Sequence, residues 1–226
     1  MERHMDELLT TLKQHLIKMS RLAESMIADA IGVLLERNRA LIDNVRRNEE
    51  RVNELQVEID EMCLTLIALH QPAASDLRFI MGAAKTNAEL ERLGDQAVNV
   101  CQKAERLLEE PPLKPFDILP RMATVAREML KDSLDAYVTR DVEKARDVLR
   151  RDDEVDRMKK DITDELLGYM TGNAAVARRA LDLILVARNL ERIGDHATNI
   201  AENAIFVVEG RDVRHHMEEK KEGGSH

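Results

Sequence analysis

The sequence predicts an all-α protein of two tandem three-helix bundles, six long antiparallel helices related by an internal pseudo-repeat. Composition gives the class. Of 226 residues 44% are apolar and 34% charged, yet only 2% are aromatic. A core of Ala, Leu, Val, Ile and Met beneath a charged surface is the composition of long amphipathic helices. Sandwiches and barrels need β-branched and aromatic strands with Gly/Pro turns instead. The second observation is periodicity, with apolar residues recurring at alternating steps of three and four. The third is that the chain is written twice.

The repeat is explicit. LERLGDQAVNV (90–100) aligns with LERIGDHATNI (190–200), seven identities in eleven positions at an offset of 100. RRNEERVNELQVEID (46–60) matches LRRDDEVDRMKKDIT (149–163) at an offset of 103, as Met19, Ala23, Met26 and Asp29 match Met122, Ala126, Met129 and Asp132. The change in offset predicts a shorter loop between Met170 and Asn173 than around Pro72. All five prolines sit at 72 or between 111 and 120, so PPLKPFDILP marks the break between copies. The predicted units are 1–110 and 111–226, the second ending in a frayed tail that includes His215 and His216.

In order, the first copy reads as helices over 4–37, 39–70 with a break near Arg47–Asn48, and 76–109. Ser75 is the expected N-cap of the third, with Asp76 in its first turn. The second copy reads as 118–139, 141–170 with a matching break near Asp152, and 174–209, where Gly210 serves as the stop. Val52, Leu55, Ile59, Met62, Leu66 and Leu69 form the seam of the second helix. Ala83, Thr86, Leu90, Leu93, Ala97, Val100, Ala104 and Leu107 form that of the third. Leu190, Ile193, Ala197, Ile200, Ala204 and Val207 repeat it.

Several functional classes fall away. The net charge is −9, which repels nucleic-acid backbones, and aromatic stacking platforms are missing. The longest uncharged run, Met62–Ser75, is 14 residues, short of the about 20 that a membrane helix needs. MERHMDELL lacks the apolar core of a secretory signal, so a cytoplasmic protein is expected. Cys63 and Cys101 fit no metal or redox spacing and read as buried small hydrophobes. No nucleophile elbow or phosphate-cradling Gly-rich loop is present, so an enzyme is not expected.

With Leu90 and Leu93 on the seam, Glu91 and Asp95 point outward together, about one helical pitch apart. Glu191 and Asp195 repeat the pair. Asn99 and Asn199 extend the stripe, and Glu202 continues it in the second copy. A solvated face would explain one such pair. Here like charges at i,i+4 (about 0.2–0.5 kcal/mol) accompany a mid-helix glycine, Gly94 or Gly194 (about 1 kcal/mol), in both copies. A bound cation would relieve the repulsion, and glycine would admit close approach of another group. Oxygen ligands suit hard cations and iron or manganese. The adjacent second helix offers Asn53 or Asp60 in the first copy and Asp156 or Asp164 in the second. His196, opposite Gln96 of the first copy, is at best an auxiliary ligand. Arg92 and Arg192 are expected to pair with nearby carboxylates.

QPAASDLRFI, LERLGDQAVNV, LERIGDHATNIAENA and VVEGRDVRH together resemble the PhoU family of phosphate-transport accessory proteins, over essentially the whole chain. The resemblance implies metal sites at Glu91 and Asp95 and at Glu191 and Asp195, holding iron first, with Mn, Mg, Zn or Ni as alternatives. It also implies negative regulation of the phosphate-starvation response and of phosphate uptake. The implied partners are the ATPase subunit of a phosphate ABC transporter, a membrane sensor histidine kinase and a second copy of the chain. Two departures stand out. Pro72, Asp76, Leu77 and Arg78 are matched in the second copy only by Arg178. Gln56 and Lys159 stand where the family often has Glu. A metal-free helical scaffold is the alternative. A ferritin-like di-iron protein is remote, because no Glu stands three residues before a His and the carboxylates face outward.

Overall fold

The computed structural model describes residues 2–113 and 117–211. It has six helices: α1 (Glu2–Glu36), α2 (Ala40–His70), α3 (Ala74–Leu107), α4 (Ile118–Thr139), α5 (Val142–Gly172) and α6 (Ala177–Glu209), the last preceded by a 3-10 turn at Ala174–Val176. Helices α1–α3 pack on one another as one bundle and α4–α6 as the other. The expected tail lies outside the described residues.

The helix ends follow local chemistry. Arg37 and Arg140, equivalent positions after α1 and α4, both take left-handed backbone (φ 54 and 62), as does Gln71 after α2 (φ 43). Gly210 stops α6 at φ 67, its N–H donating to the Phe206 carbonyl at 2.9 Å. Asp141 caps α5 by accepting from the Lys144 N–H at 3.0 Å. Ser75 is not a cap. The extended residue is Ala73, directly after Pro72, and the Leu77 N–H bonds its carbonyl at 2.8 Å, so Ser75 is already in the first turn.

The expected breaks near Arg47–Asn48 and Asp152 are also absent, since α2 and α5 run through them. Those stretches are polar but contain neither Gly nor Pro, and exposed charges do not interrupt the backbone ladder. Every seam residue of α3 and α6 is buried, as are Val52, Leu55, Ile59 and Leu66 of α2. Met62 is only half-buried, and Leu69 is 72% exposed in the last turn, where the chain leaves the bundle for the Pro72 loop. Cys63 and Cys101 are buried and free, and burial pushes the thiols up to about 12 and about 11.

The two repeats share a continuous core. Helices α3 and α6 pack antiparallel and more extensively than any other pair. Near the start of α3, Gly82 faces Val207; near its end, Arg106 pairs with Asp182 at 2.5 Å. Equivalent positions therefore meet head to tail, and a pseudo-two-fold axis relates the copies. The two ends of this interface differ. At one, Tyr137 stacks on Phe79 (centroids 5.1 Å apart) and donates to its carbonyl at 2.5 Å. At the other, the equivalent positions hold Leu34 and Arg179, which border a cavity of about 470 Å³.

Candidate metal centre

The outward pairs stand where α3 meets α2 and α6 meets α5. Glu91 is half-buried and Asp95 exposed. Burial first, then the Asp95 charge, raises the Glu91 carboxyl above its ordinary value. A residue not anticipated from the sequence joins them: Glu49 of α2, raised by burial and then by Asp95. Asn53 is exposed one turn further along α2.

The second cluster is more strongly coupled. Asp152 of α5 is pushed up to about 6, first by burial and then by Asp195, Asp156, Asp153 and Glu191. Asp195 reaches solvent but loses hydration against α5, and this, with Glu191 and Asp156, raises its pKa. The Asp156 charge thus acts on both Asp152 and Asp195, and Asp152 is a residue not anticipated from the sequence. Glu49 and Asp152 had a legible signal: both are acidic, they align at the 103 offset, and each stands four residues before Asn53 or Asp156.

Other expected positions are engaged elsewhere. The Asn199 amide donates to Glu89 at 3.0 Å, and His196 Nδ1 lies 2.7 Å from the same oxygen. Both therefore bridge the repeats rather than turn to Asp195. Asp60 accepts from the buried Asn87 amide at 2.9 Å. Arg92 pairs with Glu89 at 2.9 Å.

The glycines face neighbours at ordinary contact distance. Gly94 is approached by Val52 and Met26, and Gly194 by Asp152, Val155 and Met129, all within their own bundles. A Cβ at either position would meet its nearest neighbour at 3.4 Å, an ordinary contact. Helix packing alone does not demand glycine there.

Three features bear on metal binding. Among the described residues, no three His, Cys, Asp or Glu side chains converge on a point where one ion could sit. The donor set itself is all oxygen, as hard cations and iron or manganese require. The second cluster also already accepts a cation, since Lys159 Nζ lies 3.2 Å from Glu191 Oε1. The donors suit a cation in chemistry, while their side chains as placed do not converge on one.

Comparison with known proteins places these clusters in a family context. A family model described as the PhoU domain matches residues 16–104 and 119–204, one copy on each bundle. The chain is 38% identical over 208 residues to a phosphate-specific transport system accessory protein PhoU homolog of Pseudomonas putida, covering 92% of this chain and 81% of that protein. A homolog so named in Aquifex aeolicus is 40% identical over 215 residues, covering 95% and 97%. The crystal structure of PhoU from Pseudomonas aeruginosa superposes with a TM-score of 0.87 at 36% identity, covering 91% of this chain and 99% of that one. The phosphate transport system regulatory protein PhoU from Streptococcus pneumoniae, at 23% identity and a TM-score of 0.86 over 92% and 99% of the two chains, shares the fold.

Proposed function

The chain belongs to the PhoU family, and from that premise we propose that it is a metal-binding adaptor that represses the phosphate-starvation response and phosphate uptake when phosphate is plentiful. The observation that carries the metal part is the doubled carboxylate cluster, built at equivalent places in both bundles. Glu91, Asp95 and Glu49, with Asn53 beside them, would hold the metal in the first repeat. Asp152, Asp156, Glu191 and Asp195 would hold it in the second. Iron suits the oxygen set first, with Mn, Mg, Zn or Ni as alternatives. The metal would supply positive charge that pins α2 to α3 and α5 to α6, and no reaction is assigned to it.

The adaptor part rests on the relatives, which are named accessory or regulatory proteins of phosphate transport. Long exposed helical faces suit docking. Among the described residues no helix is long and apolar enough to cross a membrane. The partners in this reading are the ATPase subunit of a phosphate ABC transporter and a sensor histidine kinase, met at the cytoplasmic face by a homodimer.

A strain lacking the gene tests the role. A phosphate-starvation reporter should be derepressed in high phosphate and silenced again by the wild-type chain. A chain carrying Glu91→Ala, Asp95→Ala, Glu191→Ala and Asp195→Ala should restore little repression. A reporter that stays silent in the deletion strain would sink the regulatory reading. Full repression by the substituted chain would instead favour a metal-free scaffold.

A further inference from the structure

We propose that the cavity between the repeats binds a small aromatic carboxylate. The ring takes the place that Tyr137 holds at the other end of the α3–α6 interface, and the carboxylate pairs with Arg37 and Arg179. The cavity lies at the helix ends, apart from the carboxylate clusters midway along α3 and α6, and its chemistry owes nothing to a metal.

The pseudo-two-fold axis supplies the template. At the Tyr137 end three positions build an aromatic stack: Tyr137 packs on Phe79, and the Arg140 guanidinium lies 5.8 Å from the Phe79 ring centroid. The counterparts of Tyr137, Phe79 and Arg140 are Leu34, Arg179 and Arg37. Both rings are replaced, and one guanidinium has become two. A cavity of about 470 Å³ borders all three residues. Small-molecule sites span about 300–1,000 Å³.

The lining selects the ligand class. Leu107, Leu119 and Leu183, all buried, form apolar walls from α3, α4 and α6. A guanidinium stacks on the face of an aromatic ring, as Arg140 does at the other end. Arg37 and Arg179 are the only charged side chains among the described residues that line the cavity. Arg37 Nη2 donates to the Leu108 and Glu110 carbonyls at 2.7 and 3.0 Å, and Arg179 Nη1 to the Pro111 carbonyl at 2.8 Å. Arg179 Nε lies 3.0 Å from Glu110 Oε2, yet it is buried without a hydrogen bond. Each guanidinium has five donors, more than these contacts use. Glu110 offsets one of the two positive charges. A ligand carboxylate would offset the other, in the fork geometry that guanidinium favours.

Isothermal titration of the full chain with 4-hydroxyphenylacetate, a tyrosine side chain bearing a carboxylate, tests this. Wild type should bind one molecule per chain, and saturating ligand should raise the thermal unfolding midpoint. Leu34→Tyr supplies the ring from the chain itself, so affinity should fall at least about tenfold and the midpoint should no longer respond. Leu183→Phe fills the same space from α6 and should do likewise, with circular dichroism confirming helicity. Arg37→Gln should weaken the carboxylate at least about tenfold but the neutral p-cresol by less than about twofold. Hexanoate, with the charge but no ring, should bind wild type at least about tenfold more weakly than the aromatic carboxylate. No binding by wild type would overturn the proposal. Unchanged affinity in both cavity-filling variants would do the same, as would hexanoate or p-cresol binding as tightly as the aromatic carboxylate. Each of these results leaves the reading of the carboxylate clusters untouched.

Discussion

His196 Nδ1 of α6 lies 2.7 Å from a Glu89 carboxylate oxygen of α3, a hydrogen-bonded contact that spans the two repeats with both side chains largely buried. The pseudo-two-fold counterparts, Gln96 and Asn189, are neutral. Burial alone would raise the Glu89 carboxyl. The hydrogen bonds from His196 and Asn199, with the His196 and Arg92 charges, outweigh it and hold the carboxyl below its ordinary value. One side of the inter-repeat seam thus carries an ionisable pair, whereas on the other the Gln96 amide oxygen is buried without a hydrogen-bond partner.

Removing Glu89 should therefore loosen the seam. Glu89→Ala leaves two partly buried donors unpaired, and such losses cost about 1–3 kcal/mol. A double-mutant cycle with His196→Ala should give a coupling of about 0.5–3 kcal/mol. Because the folded pKa is depressed, this contribution is present above the ordinary carboxylate value and is lost as pH falls through the folded one. Denaturant unfolding of Glu89→Gln should show a flatter acid limb than wild type. Parallel limbs would contradict the pairing.

Asp152 has the opposite sign. Its pKa rises from 3.8 to about 6, so the folded protein holds this proton more tightly than the unfolded chain does. The associated stability is present below pH 4 and is lost as pH rises through 6. In chelator, Asp152→Asn should be more stable than wild type at pH 8, with the difference closing by pH 4. Thermal unfolding at the two pH values checks this. Equal melting curves at pH 8 would show that Asp152 feels no crowding of charge.

Tyr137 is the aromatic anchor between repeats, fully buried on Phe79 and hydrogen-bonded to its carbonyl. Tyr137→Phe should cost about 0.5–1.5 kcal/mol, the net worth of one hydrogen bond. Tyr137→Ala should cost about 3–5 kcal/mol, as loss of a large buried ring does. Urea midpoints that barely move would show that the repeats are held elsewhere.

Glycines separate packing from propensity. A Cβ at Gly82 would lie 2.7 Å from Val207 Cγ2 and 3.0 Å from the Tyr137 hydroxyl, so Gly82→Ala should destabilise. At Gly94 the nearest atom is 3.4 Å away, so Gly94→Ala should gain up to about 1 kcal/mol of helix propensity. Unfolding free energies with the reverse ranking would contradict the α3 packing.

The bundles were legible because heptad seams and a tandem repeat are direct records of which faces meet. The breaks in α2 and α5 were misread because a polar run on an exposed face resembles a linker in composition alone. At the candidate site, Glu91, Asp95, Glu191 and Asp195 could be placed from one helix's periodicity. Glu49 and Asp152 were legible only by following the polar face of the second helix four residues back from Asn53 and Asp156 and matching the two copies. The turn of Asn199 toward Glu89 depended on how the repeats dock, and only the folded α3–α6 interface reveals it.

Metal content is the most direct measurement of the central claim. Wild-type chain prepared without a metal-affinity column should carry transition metal detectable by mass spectrometry after extensive dialysis. The Glu91→Ala, Glu191→Ala double variant should fall to background while keeping its helicity. Equal metal in the two proteins would contradict the assignment of the carboxylate clusters.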